Sequence, residues 1–189
     1  MPETASNLII PGQSIGQTEL GRYGQVCLAK LGEPDARDDA MGKYSSIWLS
    51  TKEGGKRDTL FIFYVANDRH NIEPLDGVSI LLVRITSPWF RTFDGLSTGC
   101  TLEQILRSFP GTVPTGESQT MYDEAQRGIA FEFAGRATAG SACVAIMVHP
   151  TGKMGDLDFV DRETVNNWGL NLATTENING VLRGYGIDP

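Results

Sequence analysis

The chain has 189 residues, 40% of them hydrophobic and 21% charged. That is enough to bury one substantial core, or two smaller ones sharing an interface, and it excludes disorder of the whole chain. The net charge of −7 and the pI near 4.8 repel phosphate backbones and anionic lipid heads, which argues against nucleic acid as a partner.

The opening stretch MPETASN has neither a basic region nor an apolar one, so it does not read as a signal peptide. The segment from Ile15 to Pro34, IGQTELGRYGQVCLAKLGEP, is rich in glycine but lacks the Gly-Lys-Ser/Thr of a phosphate-binding loop. Gly21 stands where the backbone must turn ahead of a helix near 21–31. Gly32 falls at the position of a left-handed C-terminal cap, and Pro34 stops the helix. The acidic stretch Glu33 to Asp39 reads as a solvated loop without calcium-loop spacing. Runs rich in β-branched and aromatic residues then predict strands near 44–50, 59–65 and 78–87. The longest apolar run, Ile80 to Val83, has strand length and falls far short of the roughly 20 residues that span a bilayer, so no membrane insertion is expected.

A second set follows in the same order. Placing Ile15–Gly32 over Phe93–Pro110 brings Gly21 over Gly99, Ile15 over Phe93, Leu28 over Leu106 and Leu31 over Phe109. Thr101 with Gln104 forms a capping-box pattern at the head of a helix near 101–109. Strands are expected near 121–125, 127–133 and 142–149. The expected organisation is repeat 1 over 1–92, repeat 2 over 93–150 and a C-terminal appendage over 151–189. The appendage contains a short helix capped by Asp161 and packs Phe159, Trp168 and Leu172 onto the repeats, or else is a partly disordered tail. The fold class is α+β: two tandem α-β-β-β repeats forming one curved antiparallel sheet with the helices on one face.

The pattern Leu20-Gly21, amphipathic helix, Leu31-Gly32-x-Pro34, given again as Thr98-Gly99-Cys100-Thr101 with Leu102, Ile105 and Phe109, resembles the tandem-repeat exported bacterial proteins typified by β-lactamase inhibitory protein. The single unit is similar to small lipoproteins of outer-membrane assembly. This resemblance implies that the sheet face away from the helices is concave and grips a protein. It also implies a periplasmic or extracellular setting. The paired-cysteine pattern of the inhibitor is missing here, and no interface residues carry over.

Strand periodicity supplies candidates for that face. Tyr44 and Trp48 share a side opposite Ser45, Ile47 and Leu49. Phe61, Phe63 and Val65 are placed inward, with Tyr64 outward. Arg84 and Glu132 point out because they are charged, and Met147 and His149 share the side opposite Val144, Ile146 and Val148. The candidate binding residues are therefore Tyr44, Trp48, Tyr64, Arg84, Glu132, Met147 and His149. Several of these are types enriched in interface hot spots, although the tail or a dimer mate covering the face would make them core.

Catalytic constellations are sparse. His70 lies in a polar loop and His149 ends a strand; a pairing of His149 with Cys27 or Cys100 is the only nucleophile–base arrangement left open. Cys27, Cys100 and Cys143 show no zinc-ligand spacing, and an odd count does not indicate a disulfide framework, so no metal and no cofactor is expected. The expected function is non-enzymatic protein binding, with a homodimeric structural protein as the alternative and a small-ligand carrier or cysteine-dependent enzyme behind it.

Overall fold

β-branched and aromatic runs separated by Gly, Asn and Asp clusters build most of the molecule, an α+β fold of mostly antiparallel sheets. The computed structural model describes residues 7–40, 43–50, 57–66, 77–115, 118–151 and 169–189. Twelve strands and three helices lie among the described residues. The chain divides into a first unit, Met1–Glu19 with Arg84–Lys153, and a second, Leu20–Val83 with Met154–Pro189.

In the second unit, α1 (Gly24–Leu31) leads into β4 (Ala36–Ala40), β5 (Lys43–Leu49), β6 (Thr59–Ala66) and β7 (Val78–Ile85), hydrogen-bonded in that order. The last two residues of β7 belong to the first unit. Arg37, Asp38 and Asp39, expected in a loop, lie in β4, which pairs antiparallel with β5 over Ala36↔Ile47 to Ala40↔Lys43. Pattern could not show this, because β4 is a sheet edge, where charged side chains keep a strand from pairing with another chain. The appendage contributes a helix at Thr175–Gly184, here α3. Its N-cap Thr174 accepts from the Asn177 amide at 3.4 Å, and Ile178 and Leu182, one turn apart, are buried. The expected helix capped by Asp161, and the Phe159 and Trp168 contacts, fall on residues outside those described.

Register fixes the two faces of this sheet. Ala36 and Ile47 with Phe61, and Asp38 and Ser45 with Phe63, share one face; Tyr44 with Tyr64, Ser46 with Ile62 and Trp48 with Leu60 share the other. The helix α1 packs on the Tyr44 face: the Trp48 indole Nε1 donates to the Gly32 carbonyl at its C-terminus at 3.1 Å, and Tyr64 lies beside Cys27. The opposite face carries Leu172, Ile178 and Val181 of the C-terminal segment against Phe61 and Phe63. Covering on both sides explains why the strand LFIFYV is apolar throughout.

The first unit holds two sheets. β1 (Leu8–Ile10), β2 (Ser14–Ile15), β3 (Thr18–Glu19) and β8 (Arg91–Thr92) form a small sheet in the order β3-β2-β1-β8, in which β1 and β8 run parallel. Strands this short leave no periodic signal. The larger sheet takes the end of β7, then β12 (Cys143–Val148), β11 (Ile129–Phe133), β10 (Met121–Glu124) and β9 (Val113–Thr115). β9 is again an edge, which lets Pro114 sit in it without losing a ladder donor. The helix α2 (Leu102–Ser108) starts on the expected capping box: the Gln104 amide donates to Thr101 Oγ1 at 3.3 Å, and the Thr101 amide to Gln104 Oε1 at 2.9 Å. It packs through Phe109 on Phe131, with ring centroids 5.6 Å apart.

The helices α1 and α2 begin from the same device. Gly21 has φ +75 and Gly99 φ +92, the conformation glycine tolerates best. The Gly21 amide donates to the Ile80 carbonyl at 2.8 Å and the Ile80 amide to the Arg22 carbonyl at 2.9 Å; Gly99, Cys143 and Cys100 repeat the pattern at 2.7 and 2.9 Å. Each is a glycine-first bulge. Gly32 at the end of α1 departs from expectation. Its φ of 77 and ψ of −171 make it an extended left-handed turn, not a left-handed helical cap. Its amide bonds back to the Leu28 carbonyl at 2.8 Å.

Candidate functional site

Five of the seven candidate binding residues are buried: Tyr64, Arg84, Glu132, Met147 and His149. Tyr44 and Trp48 are half-buried. The open concave face is therefore corrected at these positions. On the second unit, Ile47, Phe61, Phe63 and Val65 are buried as expected, but Tyr44, Trp48 and Tyr64, placed outward, lie on the face that α1 covers. With both faces apolar in β6, period-two reasoning had nothing to choose by.

On the first unit the faces themselves were read correctly. Register places Met121, Glu132 and Ala145 in one row and Asp123, Ala130 and Met147 in the next, opposite Tyr122, Phe131 and Ile146. What failed is the inference from charge to exposure. Arg84 Nη2 meets Glu132 Oε2 at 2.6 Å and its Nε reaches the same oxygen at 3.1 Å. His149 Nε2 lies 2.9 Å from Asp123 Oδ1, and its Nδ1 3.0 Å from the Pro150 carbonyl. Polar groups can be buried when partnered, and the Arg84 partner is 48 residues away in sequence.

These pairs do not form a nucleophilic site. Both ring nitrogens of His149 are engaged, leaving neither for a Cys27 or Cys100 nucleophile. Burial pushes the Cys143 thiol up to about 12, and it donates to the Ala145 carbonyl at 3.0 Å. His70 lies outside the described residues. No group of three or more His, Cys, Asp or Glu suited to a metal occurs among the described residues.

Two features that sequence reasoning passed over stand out. The first is the turn after β8. Gly95 donates to the Thr92 carbonyl at 2.9 Å, the Thr92 amide to the Leu96 carbonyl at 2.9 Å, and the Leu96 amide to Thr92 Oγ1 at 3.1 Å. Gly95 has φ +81. These bonds hold a tip on which Phe93 is 93% exposed, and Trp89, in the turn before β8, is 54% exposed. Trp89 and Phe90 pack edge to face at 5.0 Å, and Arg91 between them and the tip is exposed. In the sequence, Phe93 looked like the counterpart of Ile15, which is buried; only its placement on a turn reveals the difference.

The second feature is a half-open cleft with about 100 Å³ of space for water-sized groups in the second unit, between α3 and the β4–β6 face. Phe61, Phe63, Leu172, Ile178 and Val181 supply apolar walls, and Asp38, Lys43 and Asn177 the polar rim. Loss of hydration lowers the Lys43 ammonium from its usual pKa. Tyr44, which register places on the other face of β5, borders this cleft and is the one candidate binding residue to do so.

No protein-family model matches the chain, and no curated protein or solved structure shows significant similarity to it. No helix among the described residues is long and apolar enough to cross a membrane.

Proposed function

We propose that the protein is a non-enzymatic binding module built from two repeats, each a helix followed by four strands where three were expected, and that it docks a protein partner through the aromatic segment Trp89–Phe93 around β8 instead of a sheet face. The observation that carries the reading is Phe93, 93% exposed on a turn held by its own backbone bonds. A turn tip needs small or polar residues, not an aromatic ring. Burying such a ring on association is worth about 1.5–3 kcal/mol, and a preorganised tip loses little conformational entropy in doing so. Aromatic and Arg side chains, here Trp89, Arg91 and Phe93, are the usual anchors of interfaces.

The repeat reading is supported by the two glycine-first bulges. The N-cap Tyr23 bridges Ser79 and the N-cap Thr101 bridges Ala142, and the shift of 78 that aligned Gly21 with Gly99 also aligns these N-caps. The resemblance to the exported inhibitory proteins, with its periplasmic or extracellular setting, rests on this element order. Full occupation of the His149 ring supports binding over catalysis.

The test is a double change, Trp89→Ser with Phe93→Ser, immobilised beside the wild type in extract of the source cells and followed by light scattering of the purified proteins. A discrete protein retained by the wild type and lost by the variant, with unfolding temperature unchanged, is the expected result. A wild-type dimer that the double change dissociates identifies the partner as a second copy. Equal retention by both proteins overturns the docking assignment.

The cleft favours a second reading, a carrier of a small apolar ligand. Val181→Trp would fill it; a hydrophobic fluorophore that binds the wild type and not this variant supports the carrier, and equal binding removes it.

A further inference from the structure

We infer that Cys100 and Cys143 are a latent disulfide site, oxidised in preference to any pairing with Cys27. Cys143 stands opposite the bulge pair Gly99–Cys100. The bridge Thr101↔Ala142 is antiparallel, so the neighbouring position pairs Cys100 with Cys143, and the Cys143 amide donates to the Cys100 carbonyl at 2.9 Å. Facing residues of antiparallel strands have Cα atoms about 4.5–5.5 Å apart, inside the roughly 4.4–6.8 Å that disulfides accept, and the Cys143–Cys100 backbone bond keeps the bulged pair within reach. The thiols are close enough for Cys100 to act on the Cys143 titration.

The fold itself does not require cysteine here. The equivalent bulge of the other unit is made by Gly21 and Arg22 opposite Ile80 with the same two hydrogen bonds. Two cysteines at a backbone contact that elsewhere carries Arg and Ile call for a chemical reason; for a bond to form, Cys100 Sγ would leave the Ser97 amide at 3.4 Å and Cys143 Sγ the Ala145 carbonyl at 3.0 Å. Separation in sequence hid the pair, because the cysteines are brought together only by the bulge ahead of α2.

The oxidant is a low-molecular-weight disulfide. Cys100, partly exposed while Cys143 and Cys27 are buried, attacks first as the thiolate. It forms a mixed disulfide and releases one small thiolate. Cys143, once deprotonated, then attacks the Cys100 sulfur and expels the second small thiolate. The two protons from the cysteines end on the two released thiols, so one small disulfide is reduced as one protein disulfide forms. The burial that pushes up the Cys143 thiol makes the second step the slow one. The product ties the lead-in of α2 to β12.

The test treats the purified full chain with oxidised glutathione, quenches with acid, counts free thiols after denaturation and maps tryptic peptides without reduction. The expected result is loss of two of the three thiols, with Thr92–Arg107 joined to Ala137–Lys153. The Cys27→Ser variant should give the same linked pair and no free thiol. The unfolding temperature should rise by about 5–15 °C on oxidation and return on reduction. A stable glutathione adduct on Cys100 with Cys143 still free, a bond involving Cys27, a bond between chains, or three thiols still free would each overturn the inference.

Discussion

Replacing Arg84 by Met tests the interior of the first unit most severely. Arg84 is 1% exposed and Glu132 5%, and the guanidinium closes on one carboxylate oxygen at 2.6 and 3.1 Å. Removing the cation leaves the carboxylate buried without its main partner, which costs about 3–5 kcal/mol. That is a large share of the roughly 5–15 kcal/mol by which folded domains are stable. Arg84→Met with Glu132→Leu removes both charges and conserves apolar volume, so the double variant should return to within about 2 kcal/mol of wild type. Both residues make further contacts, and a double-mutant cycle separates the pair from these. Urea unfolding at neutral pH, followed by fluorescence, measures all four proteins. The account requires a coupling energy of at least about 2 kcal/mol; a single-variant cost under about 1 kcal/mol, or additive effects, would refute the buried-pair reasoning.

Tyr64 distinguishes a core residue from a surface one. Its hydroxyl is buried without a hydrogen bond of ordinary geometry, so Tyr64→Phe should change stability by less than about 1 kcal/mol, whereas Tyr64→Ala should cost about 3–5 kcal/mol by calorimetry. Cys143 predicts an alkaline loss. Its pKa is raised on folding from 9.0 to about 12, so the native state holds the proton that the unfolded chain releases. The corresponding stability is complete below pH 9.0 and lost as pH rises towards about 12. Cys143→Ala should flatten this part of a urea-midpoint titration, and an unchanged slope would contradict the burial effect. Gly128→Ala should cost at least about 3 kcal/mol, since φ is +70 and the added methyl would lie 2.2 Å from the His149 carbonyl oxygen; near-neutral behaviour would refute the close approach.

Local chemistry was legible where it was self-contained. The Thr101–Gln104 capping box, the turning glycines ahead of both helices and the strand cores all lie within a few residues of their causes. The face of β11 and β12 could also be read, since Ile129, Phe131 and Phe133 alternate with Glu132. What pattern could not show depends on distant partners. Arg84 and His149 looked exposed because Glu132 and Asp123 are far away in sequence, and β6 gave no facing because α1 and the C-terminal segment cover opposite sides. The charged edge strand β4 and the short strands of the small sheet carry no periodicity at all. Phe93, aligned with the buried Ile15 by pattern, is instead held out into solvent by a tight turn, which the alignment could not show.

Docking through the turn is tested most directly by placing a photo-crosslinking phenylalanine analogue at position 93, and in a second protein at position 48, and irradiating each in extract of the source cells or alone. The account predicts a discrete adduct, with a partner or a second copy, from position 93 and none from position 48 beneath α1. An adduct from position 48 alone, or none from position 93, would contradict it.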